Sequence, residues 1–147
     1  MATDLSVDII LVEDNQFDAE LTIHTLESHH LANRIKVAED GAEALDYLFG
    51  LGQYAGAEPH RPPRLILLDL KLPKLNGLEV LATLKSDDRT KLIPVVMLTS
   101  SKEDPDIKKA YDLGANSYVV KPIDFNAFSD TIGKLGMYWL IINQPPL

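Results

Sequence analysis

Three acidic residues stand at the ends of apolar stretches of the chain. Glu13 and Asp14 follow residues 7–12, and Asp69 lies within the run 65–70. Apolar runs of this length are typical of strands buried on both faces of a sheet. Buried carboxylates are rare unless they are paired or bound to a cation. Each acid can therefore cap the turn after its strand, or it can be a chemical group at the mouth of the sheet.

The composition restricts the class of protein. The chain has 147 residues, 46% of them apolar and 24% charged, as expected for one globular domain with its own core. It has no cysteine, which excludes disulfides and cysteine-rich metal sites. No secretory signal or apolar run of about 18 residues is visible, so we expect a cytoplasmic protein that does not enter a membrane. The net charge of −8 argues against nucleic-acid binding.

Predicted strands and predicted helices alternate five times along the chain. The predicted strands lie at 7–12, 34–38, 65–68, 94–99 and 117–120. The predicted helices lie at 16–28, 42–49, 78–86 and 104–113, and from 124 onward. Such alternation produces a parallel sheet with helices on both faces. We therefore predict an α/β fold with a doubly wound, five-stranded parallel sheet, flavodoxin-like, in the strand order 2-1-3-4-5.

The whole chain, 1–147, is expected to form a single domain. Its core should span about 8–135, with a Gly- and Pro-rich loop insertion at 51–63 and an apolar C-terminal extension at 136–147. About a dozen residues follow the core, so we expect no attached output domain.

Three helices carry local signals for their boundaries or buried faces. In the first, Phe17, Leu21 and Leu26 are expected to face the core. In the fourth, Asp104 is predicted as the N-cap and Pro105 as the first helical residue. The last helix has a single apolar stripe with steps of 3, 4, 3 and 4, formed by Phe125, Phe128, Ile132, Leu135 and Trp139.

The predicted strand order brings the acids together. Ligands bind such sheets at the carboxyl ends of the strands, between the first and third strands. Glu13, Asp14 and Asp69 would then share one crevice, where like charges need a compensating cation. Oxygen ligands suit Mg²⁺, and Lys121 and Thr99 follow the fifth and fourth strands to the same edge. A metal, a lysine and a hydroxyl around one carboxylate indicate a phosphoryl site with Asp69 as the nucleophile.

These strand ends resemble the receiver domain of two-component response regulators. The resemblance spans roughly 8–135 and rests on four motifs in order, Glu13-Asp14, Asp69, Thr99 and Lys121-Pro122. It implies a signalling protein rather than an enzyme, one that accepts a phosphoryl group on Asp69 from a histidine kinase and hydrolyses it slowly. It further implies that Mg²⁺ is held by Glu13, Asp14, Asp69 and the backbone carbonyl of Lys71.

The same resemblance assigns a switch. Lys121 would pair with the phosphoryl oxygens, and its bond to Pro122 would be cis. Thr99 would move to the phosphoryl group while Tyr118 turns inward, reshaping the face formed by the fourth and fifth units.

A finer resemblance concerns the pathway and the assembly. The loop 51–63, the sequence of residues 65–73 and the apolar C-terminus are similar to the small stand-alone regulators of bacterial phytochromes, which makes a bacteriophytochrome the expected kinase. The segment 137–142 is apolar on all sides, beyond what one helix face needs for the core. We therefore predict a homodimer through the last helix and its extension.

Other interpretations remain at this point. A haloacid-dehalogenase-like phosphatase also uses an aspartate at a strand end, but it needs a second Asp where Lys71 stands. A flavodoxin-like flavin module would need a phosphate-binding loop where Glu13 and Asp14 stand. A receiver-like scaffold that is not phosphorylated would have no need of Asp69, Thr99 and Lys121 together.

Overall fold

The computed structural model describes residues 7–31, 34–56 and 62–146. Its centre is one parallel sheet in the order β2-β1-β3-β4-β5, which confirms the predicted flavodoxin-like topology. The strands are β1 (Ile9–Val12), β2 (Ile35–Ala38), β3 (Leu65–Leu68), β4 (Val95–Thr99) and β5 (Ser117–Val120). Every residue of β1, β3 and β4 is buried, as expected for strands covered on both faces.

Five helices connect and cover the strands. They are α1 (Gln16–Ser28), α2 (Gly41–Phe49), α3 (Gly77–Ser86), α4 (Asp104–Asp112) and α5 (Phe125–Gly136). Four of them begin with a side-chain cap, supplied by Asn15, Asp40, Asn76 and Asp124. The predicted cap of α4 is wrong by one residue, because Asp104 already has helical geometry and Glu103 takes the cap position without a side-chain hydrogen bond.

The core consists of two apolar layers on opposite faces of the sheet. One layer contains Ile10 and Ile66 and is covered by α2, α3 and α4. The other contains Ile9 and Leu65 and is covered by α1 and α5. Neighbouring strand residues thus enter opposite layers, since side chains alternate across a strand. This arrangement leaves the strand ends as the place where polar groups can gather.

Two aromatic residues predicted for buried helix faces are exposed. Phe17 is 65% exposed and Phe125 is 57% exposed, whereas Leu21 and Phe128 are buried as expected. Each exposed ring lies in the first turn of its helix, beside the polar loops at the strand ends. The apolar pattern identified these helices correctly but extended their buried faces one turn too far.

The C-terminal extension packs on the domain in part. Helix α5 continues as wider π-type turns over Met137–Ile142. Leu140 in this segment is only 1% exposed and joins the layer under α5, so the buried core continues past the predicted limit at 135. The Arg64 guanidinium donates a hydrogen bond to the Leu140 carbonyl. The remaining large side chains of the segment are exposed apart from the half-buried Trp139.

The loop insertion begins with a short 3₁₀ turn, Gly52–Tyr54. The Lys36 ammonium lies 5.6 Å and 5.1 Å from the ring centroids of Tyr47 and Tyr54, which pack edge to face. These contacts attach the start of the insertion to α2 and β2, while residues 57–61 of the predicted loop lie outside the described residues. Among the described residues, no helix is both long and apolar enough to cross a bilayer.

Candidate functional site

The acidic residues of β1 and β3 meet because these two strands are neighbours in register. Val12 is paired with Leu68, so the chain after each strand opens at the same edge of the sheet. Carboxylate oxygens of Glu13, Asp14 and Asp69 all lie within 4.8 Å of one another. The structure therefore brings together the three acids that the sequence placed in one crevice.

The three carboxylates differ in their access to solvent. Glu13 is 4% exposed and Asp69 is 8% exposed, while Asp14 is exposed. Backbone groups hold the two buried acids in place: Glu13 Oε2 accepts the Asn15 N–H at 3.2 Å, and Asp69 Oδ1 accepts the Leu70 N–H at 2.7 Å. The site is thus a shallow acidic hollow with a fixed floor and one acid at its entrance.

Gly77 makes the turn after Asp69 possible. A Cβ at this position would lie 2.1 Å from the Asp69 carbonyl oxygen and 2.8 Å from Leu70 Cα. The Gly77 N–H instead donates to the Leu70 carbonyl at 2.7 Å. The close approach of two backbones, which only glycine allows here, fixes the peptide that carries Asp69.

Lys121 is the cation of the site. It follows β5, and its side chain is only 7% exposed. Its ammonium donates hydrogen bonds to Glu13, to Asp18 Oδ2 at 3.0 Å and to Asp69 Oδ2 at 3.2 Å. The role of Asp18 was missed in the sequence analysis, which had only one signal for it, an acid in the first turn of the helix that leaves the site.

Burial and neighbouring charges shift the pKa values of two residues in the site. Burial raises the pKa of Glu13 from 4.5 to about 7, against the opposing effect of the Lys121 hydrogen bond, and the neighbouring Asp69 charge adds to the rise. Burial alone would lower the pKa of Lys121, but its bond to Glu13 and the charge of Asp69 raise it above the ordinary value. Each group thus favours the charged form of the other, because Lys121 opposes the rise in the pKa of Glu13 and Glu13 raises the pKa of Lys121.

The peptide bond between Lys121 and Pro122 is trans, as are all peptide bonds among the described residues. The expected cis bond is therefore wrong for this structure. A trans bond before proline is favoured by about 0.5–1 kcal/mol in the absence of other constraints, and Lys121 still reaches all three acids from it.

The loop after β4 connects the predicted hydroxyl and aromatic residues. Thr99 is 1% exposed, and its Oγ1 accepts the Ser101 N–H at 3.3 Å. The Tyr118 hydroxyl donates to the Ser101 carbonyl at 2.8 Å. Tyr118 is partly buried, and burial raises its pKa, against the hydrogen bond to Ser101. Thr99 and Tyr118 thus both bond to the backbone of one residue, Ser101.

The donor set fits Mg²⁺. Three carboxylate oxygens within a few ångströms supply hard ligands and leave room for water and a phosphate oxygen, as this ion requires. Three carboxylates beside a single ammonium provide the electrostatic reason for a divalent ion. Lys71 is exposed beside the site, and the ligand role of its carbonyl stays a prediction.

Comparisons with known proteins agree with this site. The sequence model of the response regulator receiver domain matches residues 9–133. The probable methanogenesis regulatory protein FilR2 of Methanothrix harundinacea is 42% identical over 94% of this chain and 86% of its own length. Response regulator Rcp1 of Synechocystis sp. is 36% identical over 90% of this chain and 88% of its own length.

Solved structures give the same result. The phosphorylated cyanobacterial phytochrome response regulator RcpA superimposes with a TM-score of 0.88 at 39% identity, over 97% of this chain and 99% of its own. The bacteriophytochrome response regulator AtBRR is 52% identical, with a TM-score of 0.72 over 95% of this chain and 99% of its own. Rcp1, with a TM-score of 0.87 and 34% identity over 95% and 98% of the two chains, was solved in a Mn(2+)-bound form. The chain described here belongs to the response regulator receiver domain family, the phosphoacceptor proteins of two-component signalling that bind Mg²⁺ in an acidic pocket.

Proposed function

We propose that Asp69 is the phosphoacceptor of this receiver domain. The observation that carries the proposal is the position of the Asp69 carboxylate, which shares the acidic cluster and also accepts a hydrogen bond from Lys121. Of the two clustered acids that bond to Lys121, Asp69 has the more accessible side chain, with 11% exposed against 3% for Glu13. Glu13 is more deeply buried, and Asp14 is exposed.

The reaction is a phosphoryl transfer from a phosphohistidine. An Asp69 carboxylate oxygen forms a bond to phosphorus as the bond between phosphorus and the imidazole nitrogen breaks. The nitrogen keeps the electron pair and takes up a proton from water, and the product is an acyl-phosphate on Asp69. With acetyl phosphate as donor, acetate is the leaving group and the bond to Asp69 is the same.

The neighbouring residues provide the electrostatic environment for this transfer. Mg²⁺, when bound by Glu13, Asp14 and Asp69 with the Lys71 carbonyl, offsets the charge of the phosphoryl oxygens. Lys121 is in place to exchange part of its contact with Asp69 for a phosphoryl oxygen. Thr99 supplies a hydroxyl donor from the neighbouring strand.

We assign the protein a signalling role in which its own chemistry is limited to accepting the phosphoryl group and losing it slowly to water. The phosphatase alternative has no support from the comparisons, and the residue two positions after Asp69 is Lys71, which cannot serve as its acid. The scaffold alternative is disfavoured because the acids, Thr99 and Lys121 are all present and in contact with groups of the site.

Intact-mass measurement after incubation with Mg²⁺ and acetyl phosphate tests the proposal. We expect one phosphoryl adduct on the unmodified chain and none on Asp69→Asn. Asp112→Asn is the matched control, because it alters only an exposed ion pair with Lys108, and it should form the adduct normally. An equal adduct on Asp69→Asn would assign the reaction to another residue.

A sensor histidine kinase of the bacteriophytochrome type is the proposed phosphodonor, and the cytoplasm is the proposed location. Relatives that carry phytochrome in their names support the type of kinase. The two exposed rings beside the site, Phe17 and Phe125, line a groove of about 270 Å³ together with the fully exposed Ile123. Lys121 and Asp18 form the wall of this groove toward the site. We propose that a helical domain carrying the phosphohistidine docks on this apolar surface.

Substitution of a residue in this groove distinguishes docking of the kinase from the phosphoryl transfer itself. Phe17→Ala should reduce phosphotransfer from a bacteriophytochrome kinase at least several-fold and leave the rate with acetyl phosphate nearly unchanged. Tyr111→Ala is the control, since this ring is similarly exposed on α4. A parallel loss with both donors would mean that Phe17 supports the site itself rather than the docking of a partner.

We also propose a homodimer through α5 and its extension, with no role in nucleic-acid or membrane binding. Met137, Tyr138, Ile141 and Ile142 are each at least 46% exposed, an unusual density of apolar surface. A groove of about 370 Å³ beside them runs along β5. Ser117 is one of its lining residues, and the buried Ser117 Oγ has no hydrogen-bond partner in the described part of the chain. Sedimentation that gives a monomer at micromolar concentration, with and without phosphorylation, would overturn this proposal.

A further inference from the structure

Ser101 lies between the site and helix α4 and contacts both. We propose that the bond between Ser101 and Asp106 makes Ser101 a positioning residue, which holds the backbone that Thr99 and Tyr118 both contact and joins it to the start of α4. The inference rests on the proposed function, since it concerns the pair that responds to phosphorylation of Asp69.

The backbone of Ser101 is engaged on both sides. Its N–H donates to Thr99 Oγ1 at 3.3 Å, and its carbonyl accepts the Tyr118 hydroxyl at 2.8 Å. When Thr99 turns its hydroxyl toward a phosphoryl group, the first of these bonds must lengthen or break. The orientation of the two peptide groups that flank Ser101 therefore determines whether Tyr118 keeps its partner.

The side chain of Ser101 fixes that orientation. Ser101 is 7% exposed, and its hydroxyl donates to Asp106 Oδ2 at 2.6 Å, a short bond to a charged acceptor. The same oxygen lies 3.5 Å from the Glu103 N–H. Asp106 belongs to the first turn of α4, so the peptide groups that flank Ser101 cannot rotate without loosening this contact with the helix.

Helix α4 differs from the other four helices in its cap and in how little of it is buried. It is the one helix among α1–α5 whose cap residue makes no side-chain hydrogen bond, and it buries only Ala110. Polar contacts at its first turn thus make up a large part of what attaches it to the sheet. A change in the backbone at Ser101 is therefore transmitted to the first turn of α4 through Asp106.

Two measurements on the whole chain test the inference. Hydrogen exchange reports on the amides of α4, and fluorine NMR of the protein labelled with fluorotyrosine reports on Tyr118, whose signal is identified by its absence in Tyr118→Phe. For Ser101→Ala we expect exchange about tenfold faster in the first turn of α4 and a shifted Tyr118 signal, with and without phosphorylation. Ser101→Thr, which keeps the hydroxyl, should restore both.

The second set of variants isolates the bond to the helix. Asp106→Ala should reproduce both effects, and the double variant with Ser101→Ala should add little to either single change, since each already breaks the same bond. Ser100→Ala is the control at the neighbouring exposed serine and should change neither readout.

The outcomes are distinguishable from failure of the proposed function. Faster α4 exchange with an unmoved Tyr118 signal would reduce Ser101 to a helix cap and overturn the inference. Full additivity of the two single variants would also overturn it. Absence of a phosphoryl adduct on the unmodified chain would instead contradict the role of Asp69, while both readouts on the unphosphorylated protein would still decide the role of Ser101.

Discussion

Lys121 Nζ lies 3.2 Å from Asp69 Oδ2, although 52 residues separate the two in the chain. The contact spans the sheet from the end of β5 to the end of β3, with β4 between them. It exists because parallel strands deliver their carboxyl ends to one edge. The same ammonium also holds Glu13 and Asp18, so a single side chain connects three carboxylates of the site.

Loss of Lys121 should destabilise the metal-free protein. In Lys121→Ala three carboxylates lose their shared partner, and breaking such a buried pair costs about 3–5 kcal/mol. Mg²⁺ should recover part of this loss, since it offsets the same charges. Urea denaturation with and without Mg²⁺ measures both effects, with Lys134→Ala as the control for an exposed ion pair with Asp130. A variant as stable as the unmodified chain without Mg²⁺ would contradict the central role of this cation.

Stability should depend on pH through Glu13. Its pKa is raised from 4.5 to about 7, so between these values the folded chain binds the proton more strongly than the unfolded chain. The contribution of this group to stability is therefore full below pH 4.5 and is lost as the pH rises to about 7. Mg²⁺ must displace the same proton, and it should raise Tm more at pH 8 than at pH 5.5. In Glu13→Gln, the increases in Tm that Mg²⁺ causes at the two pH values should be more nearly equal. If they differ as much as in the unmodified chain, the pH dependence must come from other groups.

Asp18 should support Lys121 without taking part in the transfer. Asp18→Asn removes one charged acceptor, with an expected loss of about 1 kcal/mol in the free energy of unfolding, because the Asp18 side chain is 24% exposed. The phosphoryl adduct with acetyl phosphate should still form. Complete loss of the adduct in a folded variant would give Asp18 a direct part in the reaction.

Gly77 should be intolerant of any side chain. In Gly77→Ala the new Cβ meets the Asp69 carbonyl at 2.1 Å, so the turn must shift at a cost of about 1–3 kcal/mol or more, and the adduct should form more slowly. Gly133→Ala is the matched control, because its Cβ would make only ordinary contact with His29 at 3.6 Å in a helix interior. It should be neutral or stabilising by about 0.5–1 kcal/mol. Equal effects of the two changes would contradict the importance of the close approach.

Substitutions at Leu140 and Ile142 should distinguish an effect on the stability of the fold from an effect on dimerisation. Leu140→Ala empties a fully buried position and should cost about 2–5 kcal/mol. Ile142, which is 61% exposed, should tolerate Ala with little loss of stability but weaken the proposed dimer, as sedimentation would show. If Ile142→Ala leaves the association unchanged, the dimer must use another surface.

The sequence by itself determined the fold and the chemical groups of the site. Apolar runs of four to five residues separated by helical segments specify a covered parallel sheet, and that sheet brings Glu13, Asp14 and Asp69 together through strand order alone. These are consequences of periodicity and connection rules, which depend on short stretches of chain.

Only the tertiary structure decided which side chains share a partner and which apolar residues remain outside. The contact of Asp18 with Lys121 depends on how the first turn of α1 lies against the end of β5. A local sequence pattern does not predict the distance between these two side chains. Phe17 carried the same apolar signal as Leu21, yet only Leu21 has apolar surface beneath it. Burial and ion pairing are set by surfaces that come together from distant parts of the chain, and for that reason they had to be observed in the folded molecule.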